Sequence, residues 1–187
     1  MKTHAQPVVI GGGVIGCSIL YHLTKLGWSD VVLLERDELT SGSTWHAAAN
    51  IHGLHDSTNI SRIQHYTMGL YKDLEAETGQ SCGVFQPGSL YLAQTENRSH
   101  QLQLQASKAK LYGMNFSEVT RAEAEELHPL VNFDGIRTIM WEPEGGNVDP
   151  SGVTAAYAAG ARQNGAEIYR FTPVTATEAQ PDGSWIV

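Results

Sequence analysis

The residues with the clearest chemical potential occupy positions 11–16, which read Gly-Gly-Gly-Val-Ile-Gly and match the G-x-G-x-x-G spacing of a dinucleotide-binding turn. In such a turn the first glycine, Gly11, permits a tight bend and Gly13 lets the backbone approach a pyrophosphate. The last glycine, Gly16, lets the following helix lie close to the sheet. Phosphate oxygens are then expected at the free N–H groups of the helix N-terminus.

An acidic residue, Glu35, follows Gly16 by nineteen positions and closes an apolar run. A carboxylate at this distance accepts hydrogen bonds from ribose hydroxyls and repels a 2′-phosphate, which disfavours NADP despite the neighbouring Arg36. The alternative is that the glycines only form a turn and that Glu35 is a solvated strand end.

The next cluster, residues 39–46, is dense in small hydroxyl side chains and ends in Trp45 and His46. Loops of this kind can close their amides and hydroxyls over phosphates. A neutral imidazole, with a reference pKa of about 6.5, is a competent nucleophile at neutral pH. A histidine here is therefore placed to contact or bond to a flavin ring, a bond for which a nicotinamide enzyme has no use. The alternative is a hydrogen-bonded loop histidine.

The elements that must position these residues follow from the apolar pattern. It predicts a strand over residues 7–10, a helix over 14–26 that stops at Gly27, and a strand over 31–34. This order is that of a βαβ unit with two parallel strands, so the fold class is α/β.

The rest of the chain alternates between helices and strands. The long helix over residues 57–78 is predicted to bury the face formed by Ile60, Ile63, Thr67, Leu70 and Leu74. The further predicted elements are a hairpin or bent strand (84–95), helices (97–111, 121–128 and 150–164), strands (116–119, 136–142 and 166–171) and a hairpin turn (181–183). The chain stops in the second arm of that hairpin, which suggests a fragment of a longer protein.

The composition favours a cytoplasmic protein that handles small molecules. The chain has 187 residues, a formal charge of -8 and a pI near 5.4, which argues against nucleic-acid or anionic-membrane partners. No apolar run approaches the roughly 20 residues of a membrane span, and residues 1–7 are too short and polar for a targeting peptide. Cys17 and Cys82 are predicted to be reduced packing residues. No metal is expected at His46, His52 and His55, which lack an acidic or cysteine partner at fixed spacing.

Residues 35–48, which read Glu-Arg-Asp-Glu-Leu-Thr-Ser-Gly-Ser-Thr-Trp-His-Ala-Ala, resemble the flavin segment of the dimethylglycine and sarcosine dehydrogenase family. These proteins are among the glycine- and D-amino-acid-oxidase-like flavoproteins. The similarity covers nearly the whole chain and continues through residues 54–55, 59, 70–71, 74–75, 77–80, 86–89, 149–150 and 159–162.

The resemblance implies a Rossmann-like FAD-binding domain of the D-amino-acid-oxidase-like fold over residues 1–187, with residues of about 84–140 starting the substrate-side sheet. It also implies that His46 carries FAD covalently through the flavin 8α carbon and that the backbone of Val174 meets the adenine. The predicted cofactor contacts are Gly11, Gly13, Val14, Ile15, Gly16, Glu35, Arg36, Ser43, Thr44, His46, Ala48 and Val174.

The activity implied is oxidation of an N-methylated glycine by an FAD-dependent dehydrogenase or oxidase, with hydride transfer to flavin N5. The resulting iminium is hydrolysed or captured by folate, which in the family belongs to a separate C-terminal domain. The catalytic residues are unassigned and expected beyond Val187, so the isolated chain is expected to be inactive. The electron acceptor is also unassigned.

One position departs from the family pattern. Where the family commonly has glycine after Trp-His-Ala-Ala, this chain has Ala49, in a region expected to face the flavin ring, so the exact amine stays open. Two other functions remain as alternatives. They are a non-catalytic regulatory relative of the same fold and an NAD-dependent dehydrogenase.

Overall fold

The computed structural model describes residues 2–187, which divide into two compact units. The first unit contains the chain up to Ala49 together with Tyr71–Gly83 and Val148–Val187. The second contains Asn50–Leu70 and Val84–Asn147. Neither unit is a continuous stretch of sequence.

The first unit is built on a parallel sheet of three short strands, in the order β1-β2-β8. These strands are β1 (Val8–Ile10), β2 (Val32–Leu34) and β8 (Glu167–Tyr169). Val8 pairs with Val32, which pairs in turn with Glu167. The predicted βαβ unit is therefore confirmed, and the strand predicted over residues 166–171 is found as β8, which pairs in parallel with β2.

Two helices of this unit pack against each other. Helix α1 (Val14–Lys25) ends before Gly27, and α5 (Pro150–Gln163) begins after Asp149, whose carboxylate accepts the Ser151 N–H at 3.0 Å. The small residues of α5 allow close packing, since a Cβ at Gly160 would come within 2.8 Å of the Tyr21 ring. The unit also contains the predicted hairpin, formed by β9 (Glu178–Ala179) and β10 (Trp185–Ile186).

The second unit contains an antiparallel sheet in the order β4-β6-β5 and a short β3-β7 ladder. Its core includes Leu54, Leu102, Phe116 and Met140. The elements that lie wholly in this unit are β3 (Asn50–Ile51), β4 (Ser89–Ala93), α3 (Glu96–Leu111), β5 (Ser117–Glu118), α4 (Arg121–Leu127), β6 (Thr138–Glu142) and β7 (Gly146–Asn147). Much of the segment predicted to start a substrate-side sheet thus lies in a sheet of its own, while its role toward a substrate stays a prediction.

Helix α2 (Thr58–Thr78) has the predicted length but not the predicted buried face. Leu74 is fully buried, whereas Ile60 and Ile63 are 41% and 64% exposed, so burial of the whole apolar stripe is wrong. Ser61 is buried instead, because its hydroxyl accepts the His55 N–H at 2.8 Å and donates to the His55 carbonyl at 3.0 Å. These two bonds satisfy a polar side chain that periodicity assigns to solvent.

Residues 84–95 form no hairpin, and the strand among them is limited to Ser89–Ala93. Phe85 forms an isolated bridge with Asn147, and Ser89–Ala93 pairs with Thr138–Glu142. The pairing partner of this segment is distant in sequence, and a local turn signal cannot indicate such a partner. None of the helices in residues 2–187 is long and apolar enough to cross a membrane.

Candidate cofactor site

The glycine loop between β1 and α1 has the tight turn and the close backbone packing that its sequence predicts. Gly11 has a φ of +105°, a conformation that favours glycine, and its N–H donates to the Leu34 carbonyl at 2.9 Å. A Cβ at Gly16 would collide with the Gly11 carbonyl oxygen and touch Val9. The loop therefore turns tightly and brings α1 against the strand it follows.

Glu35 is buried beneath this loop, with 9% of its surface exposed. One carboxylate oxygen accepts the Gly12 N–H at 2.6 Å and the other accepts the Asp37 N–H at 2.8 Å. The alternative of a solvated strand end is wrong. Because an ionised carboxylate offers about four acceptor positions, the two backbone bonds leave acceptor capacity for ribose hydroxyls.

Gly12, an unspecified position of the fingerprint, is as constrained as the glycines that the fingerprint names. A Cβ there would lie 2.5 Å from the Leu39 side chain and 3.0 Å from the Glu35 side chain. Sequence reasoning missed this residue. The available signal was the third consecutive glycine, which the fingerprint alone does not require.

The hydroxyl-rich loop is fastened to the glycine loop at two points. The Thr40 N–H donates to the Gly12 carbonyl at 3.0 Å, and the Thr44 Oγ1 accepts the Val14 N–H at 3.0 Å. The N–H groups at the N-terminus of α1 are predicted to be free for phosphate, but the N–H of Val14, the first residue of the helix, donates to Thr44. A Cβ at Gly13 would come within 2.9 Å of the Thr44 Oγ1, so the missing side chain makes room for this hydroxyl.

Thr44 begins a single 3-10 turn, Thr44–His46, which we call the histidine turn. Trp45 and His46 are both exposed, and their rings lie against each other with centroids 3.9 Å apart and planes 35° apart. Within residues 2–187 the His46 ring makes no hydrogen bond, so the structure gives no support to the hydrogen-bonded loop histidine.

A cleft of about 690 Å³ runs over the glycine loop and the hydroxyl-rich loop. Ten of the twelve predicted cofactor contacts line it, and the two that do not are His46 and Ala48. The lining also includes Gly12, Thr40, Ser41, Gly42, Ala47 and Pro173, which are not among the twelve predicted contacts, although residues 40–42 belong to the loop predicted to close over phosphates. The contacts with FAD remain predictions, although the cleft brings most of their positions together.

The donors and charges of this cleft fit a dinucleotide. The first turn of α1 carries no acidic side chain, so nothing on the helix opposes the positive end of its dipole where a pyrophosphate would lie. Glu35 and Val174 line the cleft, and so do Ser43, Thr44 and Ala47, the last of which is next to His46 in the sequence. The same cleft therefore includes the predicted ribose-binding residue and residues of the histidine turn and its C-cap.

The two cysteines are buried packing residues. Both cysteines are free and fully buried, as predicted, and burial raises the pKa of the Cys17 thiol to about 12 and that of the Cys82 thiol to about 11. Among the described residues, 2–187, no group of three or more His, Cys, Asp or Glu side chains could hold a metal ion.

The related sequences include two dehydrogenases and a regulatory subunit. Rat "Dimethylglycine dehydrogenase, mitochondrial" is 41% identical over 186 residues, which cover 100% of this chain and 22% of the rat protein. Human "Sarcosine dehydrogenase, mitochondrial" is 38% identical over 183 residues, 97% of this chain and 20% of that protein. Mouse "Pyruvate dehydrogenase phosphatase regulatory subunit, mitochondrial" is 37% identical over 174 residues, 93% of this chain and 20% of that protein.

The structural comparison agrees on the fold. L-proline dehydrogenase from P. horikoshii superposes with a TM-score of 0.89 at 26% identity, over 97% of this chain and 48% of that chain. The chain spans about a fifth of the length of the relatives named above. The D-amino-acid-oxidase-like fold predicted from the sequence is confirmed. A family model described as "DAO: FAD dependent oxidoreductase" matches residues 7–187, and the chain therefore belongs to this family of FAD-dependent oxidoreductases.

Proposed function

We propose that the protein oxidises an N-methylated glycine, of the dimethylglycine or sarcosine type, and that His46 holds its FAD covalently. The observation that carries the proposal is that one cleft is lined both by Glu35 and by Ala47, the residue next to His46, which is exposed and makes no hydrogen bond within residues 2–187. The substrate class is supported by the names of the rat and human relatives, which are a dimethylglycine and a sarcosine dehydrogenase.

Different residues of the chain bind different parts of FAD in this proposal. Glu35 accepts the ribose hydroxyls at the adenine end, where Pro173 and Val174 line the cleft. The first turn of α1 faces the pyrophosphate, and His46 holds the ring end. Bound FAD supplies the acceptor for the hydride that leaves the N-methyl carbon of the amine. Residues that bind the amine are not assigned.

The covalent bond is a net oxidation and needs an acceptor. In the holoenzyme, an imidazole nitrogen of His46 would hold the flavin through its 8α carbon, in place of one hydrogen of the methyl group and the hydrogen of the imidazole N–H. The electron pair and the two protons so released would pass to dioxygen, which would become hydrogen peroxide. A tethered ring cannot dissociate, and the link also raises its reduction potential, which favours removal of hydride from the amine.

Acid precipitation of the full-length protein tests the covalent bond. We expect the yellow colour to stay with the precipitate of the native protein and to pass into the supernatant for His46→Ala. His128→Ala removes an exposed histidine of the second unit and should keep the colour in the precipitate. Release of all flavin from the native protein would refute the bond, and a lack of turnover with N-methylglycines would refute the substrate class.

A second candidate function is a regulatory or scaffolding role without catalysis. It is favoured by the 37% identity to the mouse pyruvate dehydrogenase phosphatase regulatory subunit. A colourless native protein that does not take up FAD would support this role and contradict the first proposal. An NAD-dependent dehydrogenase, the remaining alternative, requires turnover with NAD in the absence of a flavin spectrum.

Location and partners remain proposals of the same kind. We place the protein in the cytoplasm, with a small amine as substrate and neither nucleic acid nor membrane as partner. The names of the rat and human relatives describe those proteins as mitochondrial, so cell fractionation is the direct test. We assign any use of folate to sequence outside these 187 residues.

A further inference from the structure

The geometry points to Thr44 as the positioning residue for His46, and we propose that its hydroxyl holds the histidine turn at the N-terminus of α1 rather than binding phosphate itself. This inference rests on the proposed function, because it concerns the histidine that is to hold FAD. It adds a residue whose role is to place the nucleophile.

Thr44 contacts the first residue of α1 directly. The Thr44 Oγ1 lies 3.0 Å from the Val14 nitrogen, and Val14 is the first residue of α1. The residue in the N-cap position, Gly13, has no side chain with which to cap the helix. Thr44 therefore supplies from thirty positions away the acceptor that an N-cap side chain normally provides.

Thr44 is also the first residue of the histidine turn. Its carbonyl accepts the Ala47 N–H at 3.1 Å, which closes the turn that carries His46 two residues later. A side chain that fixes the first residue of a one-turn segment limits where the third can point. Thr44 is half-buried whereas His46 is exposed, so the anchor of the turn is at its buried end.

The backbone of Gly13 leaves space for the Thr44 hydroxyl. A Cβ at Gly13 would stand 2.9 Å from the Thr44 Oγ1, closer than carbon and oxygen normally approach. The Thr40 N–H also bonds to the Gly12 carbonyl at 3.0 Å, and this contact fixes the start of the same loop. With both ends of residues 40–44 held, loss of the Thr44 bond releases the end nearest His46.

The test measures FAD attachment and ADP binding separately. Thr44→Val keeps the shape of the side chain but removes the acceptor, and we expect the full-length apoprotein to attach FAD roughly tenfold to a hundredfold more slowly, as for a misplaced reacting group. ADP binds the same loops but cannot form the bond. Its Kd should stay within about threefold of the native value or fall, because Val14 regains a free N–H for phosphate.

Two further variants act as controls. Thr44→Ser keeps the hydroxyl and should restore the attachment rate to within about threefold of the native rate. Thr24→Val removes a hydroxyl bond of 2.7 Å to the Tyr21 carbonyl at the opposite end of α1. It should lower stability without slowing attachment, which separates positioning of His46 from a general weakening of the helix.

Hydrogen exchange in the apoprotein gives a readout that does not depend on the covalent bond. Thr44→Val should speed amide exchange at Val14 and in residues 44–49, and Thr24→Val should not. Native attachment rates in Thr44→Val, or a parallel loss of ADP affinity, would overturn the positioning role. A native protein with no covalent flavin would refute the proposed bond instead, and the exchange comparison would still decide whether Thr44 holds the turn.

Discussion

Replacing Ala49 with glycine should relieve backbone strain next to the proposed flavin site. Ala49 has a φ of +55°, a left-handed conformation that costs a residue with a Cβ roughly 1–2 kcal/mol. Glycine removes this cost but adds about 0.5–1 kcal/mol of backbone entropy to the unfolded chain. The net effect of Ala49→Gly is therefore a small gain in the free energy of unfolding, between about 0 and 1.5 kcal/mol.

Ala47→Gly provides the matched control, because Ala47 has an ordinary φ of -69°. Ala47→Gly adds the same entropy to the unfolded chain but relieves no backbone strain, so the two variants should differ by roughly 1–2 kcal/mol in the free energy of unfolding. For a chain of this size that difference corresponds to about 2–8 °C in Tm, measurable by calorimetry or circular dichroism. Equal melting temperatures for the two variants, or a lower melting temperature for Ala49→Gly than for Ala47→Gly, would refute the assignment of strain to Ala49.

Two other predictions concern the glycine loop and the thiols. Gly12→Ala should lower the free energy of unfolding by about 1–3 kcal/mol and weaken ADP binding, because its Cβ would press on Leu39 and Glu35. Thermal melts measure the stability and titration with ADP measures the affinity. An unchanged Tm and an unchanged Kd would contradict the packing argument. Burial raises the pKa of the Cys17 thiol to about 12, so the folded state holds a proton that the unfolded state releases above about pH 9. The free energy of unfolding should therefore fall between about pH 9 and 12, and it should fall less in Cys17→Ala. An equal dependence of the free energy of unfolding on pH in both proteins would contradict a contribution from the Cys17 thiol.

The local signals of the sequence predicted the site better than the packing of α2. The βαβ unit and the loop residues follow from glycines, an acidic residue and hydroxyls whose roles depend on near neighbours. The buried face of α2 depends instead on Ser61, whose burial is stabilised by two bonds to His55 that hydropathy does not register. The strand partner of Ser89–Ala93 lies about fifty residues away and has no local signal either.

The glycine loop itself shows which features sequence can identify and which it cannot. Gly11, Gly13 and Gly16 are predicted by the fingerprint, and Glu35 by its distance from them. The burial of Glu35 and the contact of Thr44 with Val14 are visible only in the three-dimensional structure, because each depends on two segments folding together.

The close contacts around the glycine loop also affect how related sequences can be interpreted. Gly12 makes room for Leu39 and Glu35, Gly13 for Thr44, and Gly16 for the carbonyl of Gly11, all of them within the polypeptide. A descendant that no longer used a nucleotide would still need these glycines in order to fold. Retention of the fingerprint therefore reports descent and architecture, and the residue whose loss would mark a change of use is the histidine at position 46.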